Sequence, residues 1–195
     1  MNTVRLAHGD ALVVVDVQND FLPGGALAVP GADQVVEPLN GYLRRFTLRG
    51  LPVFATRDWH PAAHCSFQEQ QGPWPRHCVA GSEGARFTPA LALPADAVLI
   101  AKATEPDREA YSGFSGTELD RLLREFGIRR LFVGGLATDY CVLNTVRDAL
   151  RLGHAVLLLR DAVRAVDATP GDGERALAEM LALGARSIEL EQLVA

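Results

Sequence analysis

Cysteine is scarce in this chain: Cys65, Cys78 and Cys141 are the only three, an odd number at irregular spacing. That argues against a disulfide framework and fits a reducing cytoplasm. Long apolar runs are missing as well; the longest are strand-sized, too short to span a membrane. The first ten residues hold no apolar core and no small-residue cleavage site, so a secretory signal is not expected. Basic blocks are absent and the net charge is −5, with acids and bases mixed, which speaks against a nucleic-acid partner. Nor are there internal repeats or a linker. With 195 residues, 48% of them hydrophobic, we expect one sizeable α/β domain over 1–195.

What is present is an alternation of apolar bursts and amphipathic stretches. Buried strands are expected at 11–15, 51–56, 97–101, 130–133 and 155–159, with a short one at 187–190. Helical spacing of Val35, Val36, Leu39, Leu43 and Phe46 predicts a helix over 33–49, ended by Gly50. Further helices are expected at 117–126, 138–152 and 172–183. Strands apolar on both faces, alternating with helices, imply a three-layer α/β/α fold with a mainly parallel sheet of about six strands. The exception is an excursion over 58–94. It has little periodicity but holds three of the five histidines, two cysteines and both tryptophans. So long a structureless stretch inside a compact domain points to function, and its tryptophans argue against disorder.

In an open parallel sheet, ligands bind at the carboxyl ends of the strands. Asp16, Asp58, Lys102 and Cys141 follow four successive expected strands, so four chemically capable residues converge on one rim. Each has an ordinary alternative: Asp16 as a turn cap through Asn19 or Asp20, Lys102 as a side chain reaching solvent, Cys141 as a small buried hydrophobe. Their convergence favours chemistry. Gly134-Gly135 reads as a loosened turn, with Cys141 in the first turn of the next helix, where backbone N–H groups and the helix dipole favour thiolate. Asp16 would take and return the thiol proton, and Lys102 would hold both anions.

The excursion opens with Asp58-Trp59-His60 and continues through His64, Cys65 and Ser66 to Trp74-Pro75-Arg76-His77-Cys78. One carboxylate with two or three imidazoles suits a two-histidine, one-carboxylate metal site, compatible with Zn²⁺, Fe²⁺ or Mn²⁺. Surface loop histidines, or a structural zinc using Cys65 and Cys78, are the competing readings, although the paired Cys-x-x-Cys spacing is absent.

Taken together, Val15-Asp16-Val17-Gln18-Asn19-Asp20-Phe21, Asp58-Trp59-His60, Trp74-Pro75-Arg76-His77-Cys78-Val79, Tyr111-Ser112-Gly113-Phe114 and Gly134-Gly135-Leu136-Ala137-Thr138-Asp139-Tyr140-Cys141-Val142 resemble the nicotinamidase branch of the isochorismatase-like hydrolases. The pieces run in family order over most of the chain. The resemblance implies hydrolysis of nicotinamide, and of pyrazinamide too, as part of NAD salvage in the cytoplasm. It implies Cys141 as nucleophile, Asp16 as base and then acid, and Lys102 as their electrostatic partner. One divalent metal would be held by Asp58, His60 and His77, with His64 or Ser66 open as a further ligand, and no organic cofactor is implied. A cis Leu136–Ala137 peptide would turn the N–H groups of Ala137 and Cys141 toward the substrate oxygen. Phe21, Trp74, Tyr111, Leu136 and Ala137 would line the substrate pocket. A related hydrolase of N-carbamoyl amides or ureides, or a non-enzymatic metal-binding protein on the same scaffold, are the alternatives; the former generally lacks the Asp58, His60 and His77 pattern. The oligomeric state stays open.

Overall fold

Runs that are apolar at every position must be covered on both faces, and the computed structural model, which describes residues 3–194, covers them. Strands β2 (Asp10–Val15), β3 (Val53–Asp58), β4 (Val98–Lys102), β5 (Arg130–Leu136), β6 (Ala155–Arg164) and β7 (Arg186–Ile188) form one parallel sheet in the order β4-β3-β2-β5-β6-β7. All six residues of β2, the first strand of this sheet, are buried. Alternate residues of β2 point to opposite faces. Leu12 and Val14 pack toward Leu39, Leu43 and Phe46 of helix α1 (Val36–Leu48). Ala11, Val13 and Val15 pack toward Leu119 and Leu123 of α2 (Leu119–Glu125), Val146 and Ala149 of α3 (Leu143–Arg151), and Met180 of α4 (Asp172–Ala182). Each fully buried Val, Leu or Phe contributes about 1.5–3 kcal/mol of transfer free energy, so this double cover holds the three layers together. No helix among the described residues is long and apolar enough to cross a membrane.

The chain winds outward from β2 to β3 and β4, then returns to the other side of β2 for β5, β6 and β7. The reversal lies between β2 and β5. At such a switch point the connections leave in opposite directions and open a crevice above the carboxyl ends of the strands.

Several boundaries differ from expectation. Gly134 and Gly135 do not form a turn. They belong to β5, which shifts register against β6 between Val133 and Gly135. Gly135 has φ +128°, and a Cβ there would lie 2.0 Å from the Val15 carbonyl oxygen. The glycine therefore permits close strand contact at the switch point. The helix expected at 138–152 is two pieces, a π-helical turn Thr138–Val142 and then α3, and the one expected from 33 opens as a 3₁₀ turn Ala32–Val35. The last sheet strand ends at Ile188, because Glu189 and Gln192 form a capping box on a 3₁₀ turn Leu190–Gln192. A parallel pair, β1 (Val4–Arg5) with β8 (Leu193–Val194), is too short to have left a periodic signal.

The 58–94 excursion has a single short 3₁₀ turn, Gln68–Gln70, among its described residues, yet its backbone is tied down. His60 N–H donates to Cys78 O at 3.0 Å, Trp74 N–H to Ser66 O at 3.0 Å, and Asn19 N–H to Arg86 O at 2.9 Å.

Candidate active site

The strand ends place the ionisable groups. Asp58 and Lys102 are register partners on β3 and β4, so their side chains rise from the same face of the sheet. Asp16 follows β2 with φ +51°, a left-handed conformation more common for Asp than for branched residues, and its N–H donates to Thr56 O at 3.1 Å. Cys141 sits in the π-helical turn after β5. The Lys102 side chain is wholly buried, and its ammonium meets all three: Asp16 Oδ2 at 3.0 Å, Cys141 Sγ at 3.4 Å, and Asp58 Oδ1 in a short ion pair. It also donates to Ala110 O at 3.2 Å. Burying one ammonium against two carboxylates is tolerable because each charge retains a partner.

These neighbours set the proton affinities. Burial pushes the Asp16 carboxyl above its ordinary range; Lys102 opposes this and Asp58 adds to it. For Asp58, burial acts upward, but Lys102 and then His60 outweigh it and hold the carboxyl below the usual range. Burial alone would lower Lys102, yet Asp16, Asp58 and Cys141 keep its ammonium firmly protonated. Burial raises the Cys141 thiol; Lys102 works against that rise, whereas the Asp16 and Asp58 charges reinforce it. This corrects the expectation of a thiolate favoured by a helix dipole. The turn carrying Cys141 is π-helical and precedes α3, and burial favours the protonated thiol over the thiolate, with the Asp16 carboxylate beside it as proton acceptor.

A second cluster adjoins the first. Ligand atoms of Asp58, His60 and His77 all lie within 4.8 Å of one another, and all three residues are buried. His60 Nδ1 faces Ala103 O at 3.3 Å and His77 Nδ1 faces Pro75 O at 2.8 Å. A carbonyl only accepts, so both rings donate through Nδ1 and keep an unprotonated Nε2. His60 Nε2 is buried with no hydrogen-bond partner. An orphaned imidazole lone pair beside a carboxylate fits a divalent cation, and the carbonyls behind the rings fix their orientation. Burial pushes His60 down to about 4, which keeps that lone pair free. His64 and Ser66, left open as ligands by the sequence, are engaged elsewhere. His64 Nε2 donates to Arg108 O at 3.1 Å, and its Nδ1 accepts from Ser66 Oγ at 2.7 Å. With both ring nitrogens engaged, His64 has no free lone pair for the cluster, although its ring lies 4.2 Å from that of His60; the Ser66 hydroxyl proton is spent on His64. Cys65 and Cys78 join no ligand cluster among the described residues, which removes the basis for a cysteine-ligated zinc.

Between the two clusters opens a pocket enclosing about 370 Å³ of empty space, open solvent at its mouth included. Phe21, Trp74, Tyr111 and Ala137 line it, as the sequence suggested, with Asp58, His77 and Cys141 at its base. Trp74 Nε1–H donates to Tyr111 Oη at 3.0 Å, and Tyr140 packs edge-on against Trp74 with ring centroids 5.0 Å apart. Leu136 does not line the pocket: it is 1% exposed and packs into the core on the α1 side. Alternation along β5 turns it away from the crevice, against the sequence expectation. Leu27, Val29, Tyr140 and Val166 complete the walls. Of these only Tyr140, adjacent to Cys141, carried a signal in the sequence. The Leu136–Ala137 peptide is cis. A larger open groove against α1 lies apart from this chemistry and contains none of the ionisable cluster.

Three supporting residues had no assigned role in the sequence. Gln18 bonds both backbone groups of Asp58, its Oε1 accepting from Asp58 N–H and its Nε2 donating to Asp58 O, each at 2.8 Å. Asp20 accepts the Cys78 N–H at 2.7 Å. Asp139 accepts the N–H groups of Val166 and Asp167, both at 2.9 Å, and so holds the wall residue Val166 against the turn that carries Cys141.

Fold and cluster define a class: doubly wound α/β proteins with a buried thiol, carboxylate and ammonium at the switch point. Within it, the chain belongs to the isochorismatase domain family, which matches residues 10–192. It is 43% identical to a nicotinamidase of Escherichia coli (strain K12), over 90% of this chain and 92% of that one. Among solved structures, it resembles the zinc complex of the Pyrococcus horikoshii pyrazinamidase, with TM-score 0.89 and 52% identity over 93% of this chain and 99% of the other. A protein from L. infantum in complex with nicotinate superposes with TM-score 0.92 and 36% identity, over 99% of each chain.

Proposed function

We propose that the protein is a nicotinamidase: it hydrolyses nicotinamide to nicotinate and ammonia, accepts pyrazinamide as well, and serves NAD salvage in the cytoplasm. The observation that carries this reading is the Lys102 ammonium touching Asp16, Asp58 and Cys141 at the base of an aromatic pocket. The aromatic side chains Phe21, Trp74, Tyr111 and Tyr140 suit a flat neutral ring, which the largely apolar lining favours over water. The similarity to nicotinamidases and to a nicotinate complex supports the same substrate.

Asp16 takes the proton of Cys141 as sulfur bonds to the amide carbon, and the carbonyl electron pair moves onto oxygen. The N–H groups of Ala137 and Cys141 receive that oxyanion; one such donor is typically worth about 3–4 kcal/mol. Asp16 then returns the proton to the leaving nitrogen, the C–N bond breaks and ammonia departs. Water attacks the remaining thioester and gives a proton to Asp16, which passes it to sulfur as the C–S bond breaks; the thiol and the Asp16 carboxylate are restored, and the acid leaves as nicotinate with its own proton lost to solvent. Lys102 keeps both anionic partners in register throughout and balances the charge as it shifts between them. Asp58, His60 and His77 would hold a divalent metal, which when bound supplies a Lewis acid for the pyridine nitrogen, directly or through water. The zinc in the P. horikoshii relative is consistent with that donor set.

Ammonia release from nicotinamide, measured for the unaltered enzyme and for Cys141→Ala, tests the reading. Activity present in the first and abolished in the second is expected. An inactive metal-loaded wild type would overturn the substrate assignment; activity retained in Cys141→Ala would overturn the covalent route.

A further inference from the structure

We infer that Thr56 is a positioning residue that commits one oxygen of Asp16, Oδ2, to the proton of Cys141. The inference rests on the roles proposed above for Cys141 and Asp16. Register pairs Val15 with Thr56, so the next residue, Asp16, leaves the sheet beside Thr56. The backbone closes the first contact, from Asp16 N–H to Thr56 O at 3.1 Å. The side chains close the second: Thr56 Oγ1 donates to Asp16 Oδ1 at 2.6 Å, and both residues are fully buried. No solvent competes for that bond, and an O–H···O⁻ contact of this length belongs to the strong, charge-assisted kind.

Thr56 is itself held in place. A Cβ at position 113 would lie 2.9 Å from Thr56 Cγ2, so the methyl occupies space that only a glycine leaves, and Gly113 N–H is bonded to Thr145 Oγ1 at 2.9 Å. With the methyl seated there, the hydroxyl faces Asp16.

The two carboxylate oxygens are therefore unequal. Oδ1 accepts the Thr56 hydroxyl. Oδ2 is buried, takes no hydroxyl or backbone N–H, and pairs with the Lys102 ammonium at 3.0 Å, on which Cys141 Sγ also converges. Oδ2 is the oxygen positioned for transfer. In the first step the S–H bond breaks, an Oδ2–H bond forms, and the sulfur lone pair bonds to the substrate carbon. In the next, the Oδ2–H proton passes to the leaving nitrogen as the C–N bond breaks. Without Thr56 the carboxylate can rotate and divide its basicity between misaligned orientations.

Thr56→Val keeps the branched shape that fills the Gly113 seat and removes only the hydroxyl. Two rates are measured on the metal-loaded enzyme: steady-state turnover of nicotinamide, and alkylation of Cys141 by iodoacetamide. For Thr56→Val we expect kcat lowered about tenfold or more, the effect of one hydrogen bond to a charged group, with KM within about twofold and alkylation slowed in parallel. Thr56→Ser restores both rates. In an Asp16→Asn background, adding Thr56→Val slows alkylation no further. Wild-type rates in Thr56→Val, failure of Thr56→Ser to rescue, or an additive loss in the double variant would each overturn the inference. Should Thr56→Val fail to fold, Thr56→Ala removes the same hydroxyl without adding bulk, and the same rates decide. Alkylation does not depend on the substrate, so a wild type inactive toward nicotinamide would sink the functional reading and still leave Thr56 testable.

Discussion

Asp16 and Asp58 carry the same carboxylate yet are pushed in opposite directions, and that divergence assigns their work. Burial raises Asp16 from its ordinary 3.8, whereas Lys102 and His60 hold Asp58 below 3.8 despite its burial. The signs follow. Asp58 contributes stability that is present above 3.8 and is lost as pH falls through its lower folded value; the contribution of Asp16 is present below 3.8 and lost as pH rises through its higher one. A base must be ionised in the free enzyme, so we expect the acid limb of kcat/KM to fall at a midpoint above 3.8. A pH–rate profile with its acid limb at or below the ordinary carboxylate value would remove Asp16 from the role of base. The residues of this cluster were legible in sequence because Asp16, Asp58, Lys102 and Cys141 each follow an apolar strand. Their proton affinities were not, because burial and neighbouring charge belong to the folded state. The expectation of a ready thiolate missed for that reason.

At the scale of elements, the catalytic geometry depends on how β2 and β5 meet. Gly135 lets the β5 backbone approach Val15 at the bulge, where a Cβ would stand 2.0 Å from the Val15 oxygen at φ +128°. Gly135→Ala combines that clash with an unfavourable dihedral, so we expect a loss of more than about 2 kcal/mol, read from the urea midpoint. Activity should fall with it, since Asp16 and Cys141 follow these two strands. A stability within about 0.5 kcal/mol of wild type would show that the strands can part without strain. The glycine pair is visible in the sequence and reads there as a turn, whereas both residues belong to β5. Local pattern reports backbone freedom, not the neighbour that requires it. Leu136 was misplaced by the same kind of gap, because the bulge decides which face each β5 side chain takes.

Across the whole molecule, the proposed metal ligands join two unlike parts. Asp58 ends a strand, whereas His60 and His77 belong to the irregular excursion over 58–94. A cation on all three cross-links loop to sheet, and any ligand that binds only the folded state stabilises it, by about 2.7 kcal/mol at a hundred times its Kd. For a chain of this size that corresponds to a rise in Tm of roughly 5–10 °C. Thermal melting after chelation and after reloading should show this shift, and Asp58→Ala and His77→Ala should show neither the shift nor bound metal by elemental analysis. Unchanged metal content in either variant would remove that residue from the shell.

The sequence by itself determined the layers and the rim: strand-sized runs apolar on both faces can only be buried between helices, and residues that end such strands share one edge of the sheet. It also carried the family, through motifs in a fixed order. Only the tertiary structure decided which atoms meet. It turned His64 toward Ser66 and Arg108 and away from the metal cluster, set Leu136 into the core, and brought the Thr56 hydroxyl onto one oxygen of Asp16. Those choices are made by register, bulges and packing, largely between distant segments such as Asp16 and Thr56, 40 residues apart, or His64 and Arg108, 44 apart, and a local pattern holds no record of such contacts.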